Sequence, residues 1–209
     1  MNEHQQLTKY IKHLADSANF KAITFYKNCS GLTGLLSEMP NVSYTWPLCT
    51  SSKNLMKAQI EKYKISGKVY AWTYKENQRN YPGWNFSVDL KASECLSALL
   101  SLMNDCEWSS KKTISTELPT ESQLKVPNNR NGVASWKSKS NLTLNCKTSE
   151  SENYWKINEL DDGIEIQFGK AKLTELQNAI NGIPKGNGDF AITDQHEENI
   201  LYFWWNLEE

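Results

Sequence analysis

The feature that most constrains this chain is a pattern that occurs twice. Phe86-Ser87-Val88-Asp89-Leu90 alternates as a strand does, a helical stripe follows through Met103, and Thr113-Ile114 reads as a further strand. Ile164-Glu165-Ile166-Gln167-Phe168, a helical stripe through Ile180 and Phe190-Ala191-Ile192 repeat that order. Phe86 and Ile164, Val88 and Ile166, and Leu90 and Phe168 each stand 78 residues apart. The helices match at 77, Leu96 with Leu173 and Met103 with Ile180, so a single insertion near the strand-to-helix turn reconciles the two. Strands with one apolar face need a helix or a second sheet to cover it, so each copy predicts antiparallel strands with one helix laid on them.

The fold class that follows is α+β: two tandem repeated modules, each of antiparallel strands with one helix, preceded by a mainly helical N-terminal segment. Residues 1–67 form that segment, 68–118 the first module, 119–140 a linker and 141–209 the second module. In the segment, Leu7, Tyr10, Ile11, Leu14 and Ala15 make one apolar stripe, Gly31 to Met39 reads as a short helix stopped by Pro40, and Met56, Ile60 and Tyr63 mark a helix from about 53 to 64. Gly67 closes that helix as a cap. Tyr70, Trp72 and Tyr74 alternate with smaller residues in a strand, and Asn77 to Gly83 makes a hairpin connection to the next. Ser93 is the expected N-cap of the first repeat helix. Pro, Asn, Ser and Lys crowd the stretch from Glu117 to Ser140, which predicts the linker. Asp161-Asp162-Gly163 predicts a hairpin turn, and Gly182 with Pro184 ends the second repeat helix, about 171–181.

The start of the chain shows no cationic flank leading into an apolar run, and no stretch reaches the ~18 consecutive apolar residues of a membrane span. A cytoplasmic protein is the expectation. Five scattered cysteines without a Cys-x-x-Cys pair fit reduced thiols. The net charge of −1 conceals a gradient: residues 1–68 carry +5, 69–146 carry +2 and 147–209 carry −8. An acidic C-terminal third disfavours nucleic acid there and favours a basic partner.

Chemistry is harder to find. Gly186-Asn187-Gly188-Asp189 leaves a helix and enters a strand, the reverse of a phosphate loop, so it predicts a turn. Asp194, Glu197 and Glu198 surround His196 without the spacing of a calcium loop or a zinc helix, and no metal or cofactor is predicted. Cys95 and Cys106, on either side of the first repeat helix, read as small core residues. Asp89 and Glu165 lie opposite in parity to Val88 and Ile166, which predicts exposure on an outer face.

Seven of the eight tryptophans, Trp72, Trp84, Trp108, Trp136, Trp155, Trp204 and Trp205, are concentrated in strand regions. Adjacent strand residues point to opposite faces, so Trp204 and Trp205 are not expected in one single-layer core; one must meet a second layer, the other module or a partner. Leu173-x-x-Leu176-x-x-Ala179-Ile180-x-x-Ile183-x-x-Gly186-x-Gly188-Asp189-Phe190-x-Ile192, with Leu201-x-Phe203-Trp204-Trp205, resembles the C-terminal ending of a loosely defined group of uncharacterised bacterial proteins. Some of these resemble immunity proteins that neutralise partner toxins. The resemblance covers about forty residues of the C-terminal half and implies no catalytic residues.

Together these features favour a non-enzymatic, intracellular protein-binding role, in its sharpest form an immunity-like inhibitor of a basic toxin, with Trp205, Asp194, Glu197 and Glu198 as the partner-binding residues. The alternative is an enzyme or small-molecule-binding protein with a site in the cleft between the modules, where Asp89, Glu165 or Asp189 would supply a carboxylate. A scaffolding homo-oligomer is a third class.

Overall fold

The computed structural model describes residues 48–75, 82–125, 134–187 and 190–205. The chain divides into Met1–Trp46 and Pro47–Glu209, and the described residues belong to the second unit. The stripe from Leu7 to Ala15 and the helix ending at Pro40 lie outside them.

In chain order the elements are α1 (Leu48–Lys62), β1 (Val69–Tyr74), β2 (Trp84–Val88), α2 (Leu90–Asp105), β3 (Ser110–Ser115), α3 (Glu121–Leu124), β4 (Trp136–Ser138), β5 (Asn141–Cys146), β6 (Trp155–Glu159), β7 (Gly163–Phe168), α4 (Lys170–Gly182), a 3-10 turn (Ile183–Lys185), β8 (Phe190–Ile192) and β9 (Leu201–Phe203). They form a mixed α+β unit with two sheets. One sheet has the order β4-β1-β2-β9-β8 and the other β3-β5-β7-β6.

The two sheets follow the same pairing plan. In the first, β1 is antiparallel to β2, β2 parallel to β9, and β9 antiparallel to β8. In the second, β6 is antiparallel to β7, β7 parallel to β5, and β5 antiparallel to β3. Helices α2 and α4 each leave the inner strand of one sheet and deliver the chain to the edge strand of the other, α2 from β2 to β3 and α4 from β7 to β8. The strands expected to close each module therefore sit in the opposite sheet. Antiparallel pairing within each module is also only part of the plan, because the two central pairings are parallel, and β2–β9 joins the first module to the second. The stretch expected as a linker is partly structured: Thr120 and Gln123 form a capping box at the start of α3, and β4 pairs with β1.

Helix starts correct the sequence reading. Asp89, not Ser93, caps α2: its Oδ1 accepts from the Ala92 amide at 2.7 Å and its Oδ2 from the Lys68 amide at 2.8 Å. Gly67 is likewise no helix cap, since α1 stops at Lys62; it turns at φ 91° against Asp89, where a Cβ would collide with the carboxylate. Ser93 lies one turn inside α2 and its hydroxyl donates to the Ile180 carbonyl at 3.0 Å, tying α2 to α4. The caps of α2 and α4, Asp89 and Gly169, stand 80 residues apart, not 77 or 78. Val88 then matches Phe168, and Leu96 matches Leu176.

One large core joins the inner faces of both sheets to the helices. Phe86, Val88, Leu201 and Phe203 from the first sheet meet Leu96, Leu99, Leu100 and Met103 of α2, Leu173, Leu176 and Ile180 of α4, and Leu144, Ile164, Ile166 and Phe168 of the second sheet. Each fully buried side chain of this size contributes about 1.5–3 kcal/mol. Lys170, at the start of α4, donates to the Met103 carbonyl at 3.0 Å and the Cys106 carbonyl at 2.7 Å, so its charge closes the C-terminus of α2.

A second, aromatic cluster occupies the other face of the first sheet: Tyr70, Trp72, Tyr74 and Trp204 are buried, with Trp136, Tyr202 and Trp205 packed beside them. Buried Asn85 serves it, accepting from the Trp204 indole at 2.9 Å and donating to the Trp72 carbonyl at 3.3 Å. Trp204 and Trp205 thus join one cluster, their rings 5.9 Å apart in an edge-on arrangement. Strict alternation fails there because β9 ends at Phe203: Trp204 keeps one bond to β2, its amide donating to the Phe86 carbonyl at 2.9 Å, and Trp205 lies past the end of the strand.

Candidate functional site

The second sheet has one apolar and one polar face, and register decides which polar groups meet. Lys111 of β3 stands opposite Asn145 of β5, and Asn145 opposite Gln167 of β7. One step along, Thr113, Thr143, Glu165 and Asn158 form a parallel row across β3, β5, β7 and β6. Diagonal neighbours on one face are within reach of long side chains, and Glu165 gathers them. Its Oε1 accepts from Asn145 Nδ2 at 2.9 Å and lies 3.1 Å from Lys111 Nζ. Its Oε2 accepts from Gln167 Nε2 at 2.7 Å and Asn158 Nδ2 at 3.4 Å. Tyr154 donates its hydroxyl to Gln167 Oε1 at 3.1 Å, fixing that amide, and Thr113 and Thr143 share a hydrogen bond of 2.9 Å.

Glu165 was expected on the outer face and exposed. The face is right, but the residue is 9% exposed. Cross-strand partners enclose it. With α1 as a wall, this face opens into a groove of about 920 Å³ lined by Lys57, Glu61, Lys111, Lys112, Lys147 and Glu165, among others.

Burial pushes the Glu165 carboxyl up, but hydrogen bonds from Gln167, Asn145 and Lys111 and the Lys111 charge outweigh it and hold it at about 2. Ionised and bound by four donors, it is a poor proton shuttle near neutrality, since general acid–base work needs a pKa near the operating pH and a free site for the proton. Asp89 does not converge on it, being occupied at the start of α2. Asp189 lies outside the described residues.

The acidic loop between β8 and β9 is built differently. Asp194 Oδ1 accepts from the Glu198 amide at 2.9 Å and the Asn199 amide at 3.3 Å, and its Oδ2 accepts from Asn199 Nδ2. Burial raises the Asp194 carboxyl, but these bonds from Asn199 and Glu198 and the nearby His196 bring it below its ordinary value. Asn199 in turn accepts from the Ile157 amide through Oδ1 at 3.1 Å and from the Trp155 indole through its carbonyl at 2.8 Å. The loop is therefore braced against β6. Glu197 and Glu198 project from it exposed, Glu197 with φ 56°, a left-handed conformation that few non-glycine residues adopt. Of the four residues singled out for partner contact, three share this loop, with Asp194 in the bracing role, and half-buried Trp205 belongs to the aromatic cluster.

No family model matches the chain, and neither a curated protein nor a solved structure matches it.

The remaining candidates are structural in their surroundings. Cys106 and Cys146 are buried, and burial raises both thiols above their ordinary value, against the pull of Lys170. Raised thiols are weak nucleophiles. Gly186 takes φ 74° and closes the turn after α4. Among the described residues no group of three or more metal-binding side chains occurs, and no helix is long and apolar enough to cross a membrane. Sequence reasoning missed the Glu165 cluster because its members are carried by four strands; the only local sign was the alternation of Glu165 and Gln167 with Ile164 and Ile166.

Proposed function

We propose that this chain is a non-enzymatic intracellular protein-binding protein, an immunity-like inhibitor that engages a basic partner through the β8–β9 loop. The observation that carries the reading is the bracing of that loop: Asp194 and Asn199 hold the backbone while Glu197 and Glu198 stay exposed. A loop ordered before contact loses little entropy on binding, and exposed acids accelerate capture of a basic surface. Trp205 supplies an aromatic edge of the kind that anchors interfaces. The C-terminal charge of −8 and the resemblance of the last residues to immunity-like proteins point the same way.

The architecture is read with it as a duplication whose halves have exchanged strands. Equal pairing plans in the two sheets and the 80-residue spacing of the caps support that reading. Such an exchange leaves the acidic β8–β9 loop, which belongs to the second half in sequence, on the sheet of the first.

Affinity capture from the native host tests the function, with Trp205→Ala and a Glu197→Gln/Glu198→Gln double variant as controls. The expected result is a basic protein retained at low salt, released as salt rises and lost with the double variant. Recovery of no partner, or of one indifferent to both variants, would refute the proposal.

A further inference from the structure

The acidic loop leaves the polar groove on the second sheet without a role, and we infer that this groove binds a small phosphate-bearing molecule. Its lining carries four lysines, Lys57, Lys111, Lys112 and Lys147, against two glutamates, Glu61 and Glu165, an excess of positive charge. The lysines come from α1, from β3 and from the turn after β5, so only the fold brings them together.

Their engagements leave capacity for a ligand. Lys111 spends one donor on Glu165 and remains 56% exposed at its side chain. Lys57 lies 3.9 Å from Glu61 with both side chains largely in solvent, a loose pair that a ligand displaces at little cost. Lys147 has no ion-pair partner among the described residues.

Lysines on an edge strand also discourage sheet-to-sheet association. That accounts for Lys111 and Lys112 on β3, but not for Lys57 or Lys147, and not for a buried carboxylate whose hydrogen bonds fix Lys111. Pairs of this kind add little net stability compared with apolar packing and are retained where they set orientation. Glu165 is a positioning residue here: it holds Lys111 and Asn145 toward the groove, and its own charge is matched.

The lining identifies the ligand class. Apart from Ile60 its side chains are polar or charged, offering Ser109, Thr113, Asn145 and Gln167 as hydrogen-bonding groups beside the lysines. Ammonium groups act as point charges, suited to the concentrated charge of a phosphate. The groove volume of about 920 Å³ lies in the range of small-molecule sites.

The test titrates the isotopically labelled full chain with sodium pyrophosphate at constant ionic strength, following amide shifts, with sodium chloride and sodium citrate as parallel arms. Saturable shifts are expected at residues 109–113 and 145–147, with Lys111→Ala and Lys147→Ala each weakening binding about tenfold and citrate at least about tenfold weaker than pyrophosphate. Both lysine side chains lie at the groove and outside the core, and unchanged circular dichroism confirms that the variants fold. Shifts that fail to saturate, that chloride reproduces, that map elsewhere, that persist at full affinity in both variants, or that citrate matches would each overturn the assignment.

Discussion

Glutamine at position 165 keeps the shape of the side chain and removes the charge that four neighbours were arranged to meet. In the folded chain the carboxyl sits at about 2 against an ordinary 4.5. That difference corresponds to about 3 kcal/mol of preference for the ionised form. A depressed carboxyl contributes stability that is complete above the unfolded pKa and is lost as pH falls toward the folded one, so the window runs from about 4.5 down to about 2. In Glu165→Gln one oxygen remains an acceptor, while the new amide group faces donors of Asn145 and Lys111 or of Gln167 and Asn158. Lys111 is exposed enough to rehydrate, so its stranding adds little.

The expected loss is therefore about 2–3 kcal/mol at pH 7, falling to about 1 kcal/mol or less at pH 2.5, where the wild-type carboxyl is itself partly protonated. Urea unfolding followed by tryptophan fluorescence at the two pH values measures it. The Glu159 carboxyl, held down first by its hydrogen bond to Lys137, and the Asp194 carboxyl also contribute to acid sensitivity. Both are common to the two chains and cancel in the difference. Equal destabilisation at pH 7 and pH 2.5, within about 0.5 kcal/mol, would refute the electrostatic reading and leave a packing effect in its place.

Three further outcomes are expected. Gly169→Ala places a Cβ against the carbonyl oxygens of Ser151 and Glu152, which are backbone atoms unable to move aside, and costs about 2–3 kcal/mol in thermal or urea unfolding; a neutral result would show that the turn before α4 yields. Asp194→Ala removes the acceptor for two amides and the Asn199 side chain, lowering stability by about 1–2 kcal/mol. Amide exchange should quicken between 194 and 199, and unaltered exchange there would mean that the loop is held by other contacts. In a chain with Cys29 and Cys49 replaced by serine, a thiol reagent should label half-buried Cys95 well before Cys106 and Cys146, which react only on unfolding; early loss of Cys146 would contradict its burial.

The faces of the strands were legible because alternation is a local property. Tyr70, Trp72 and Tyr74 do share one face, and Ile164, Ile166 and Phe168 are buried together on another. What the alternation could not supply was the spacing between the halves. A strand has a period of two, so offsets of 78 and 80 align its inward residues equally well. A helical stripe recurs every three or four residues, so 77 and 80 do the same for α2 and α4. Only the caps separate these choices. Asp89 read as a strand residue hides that α2 begins directly after it, while its bonds to Ala92 and Lys68 fix the register at once.

Pairing between the halves was beyond the reach of local pattern for a related reason. A sequence shows which face of a strand is apolar and not which distant strand will lie beside it, so adjacent elements were assigned to one module. In the fold, β3 completes the sheet of β7, and β9 that of β2. The Glu165 cluster depends on this exchange. Asn145 reaches Glu165 because β5 lies beside β7, and Lys111 because β3 lies beside β5; had β3 stayed next to β2, the Lys111 charge would be missing from the cluster. The acidic loop depends on it as well, since Asn199 braces against β6 of the second sheet while leading into β9 of the first. A substitution that weakens β5–β7 pairing would therefore disturb the groove, and one that weakens β2–β9 pairing the loop.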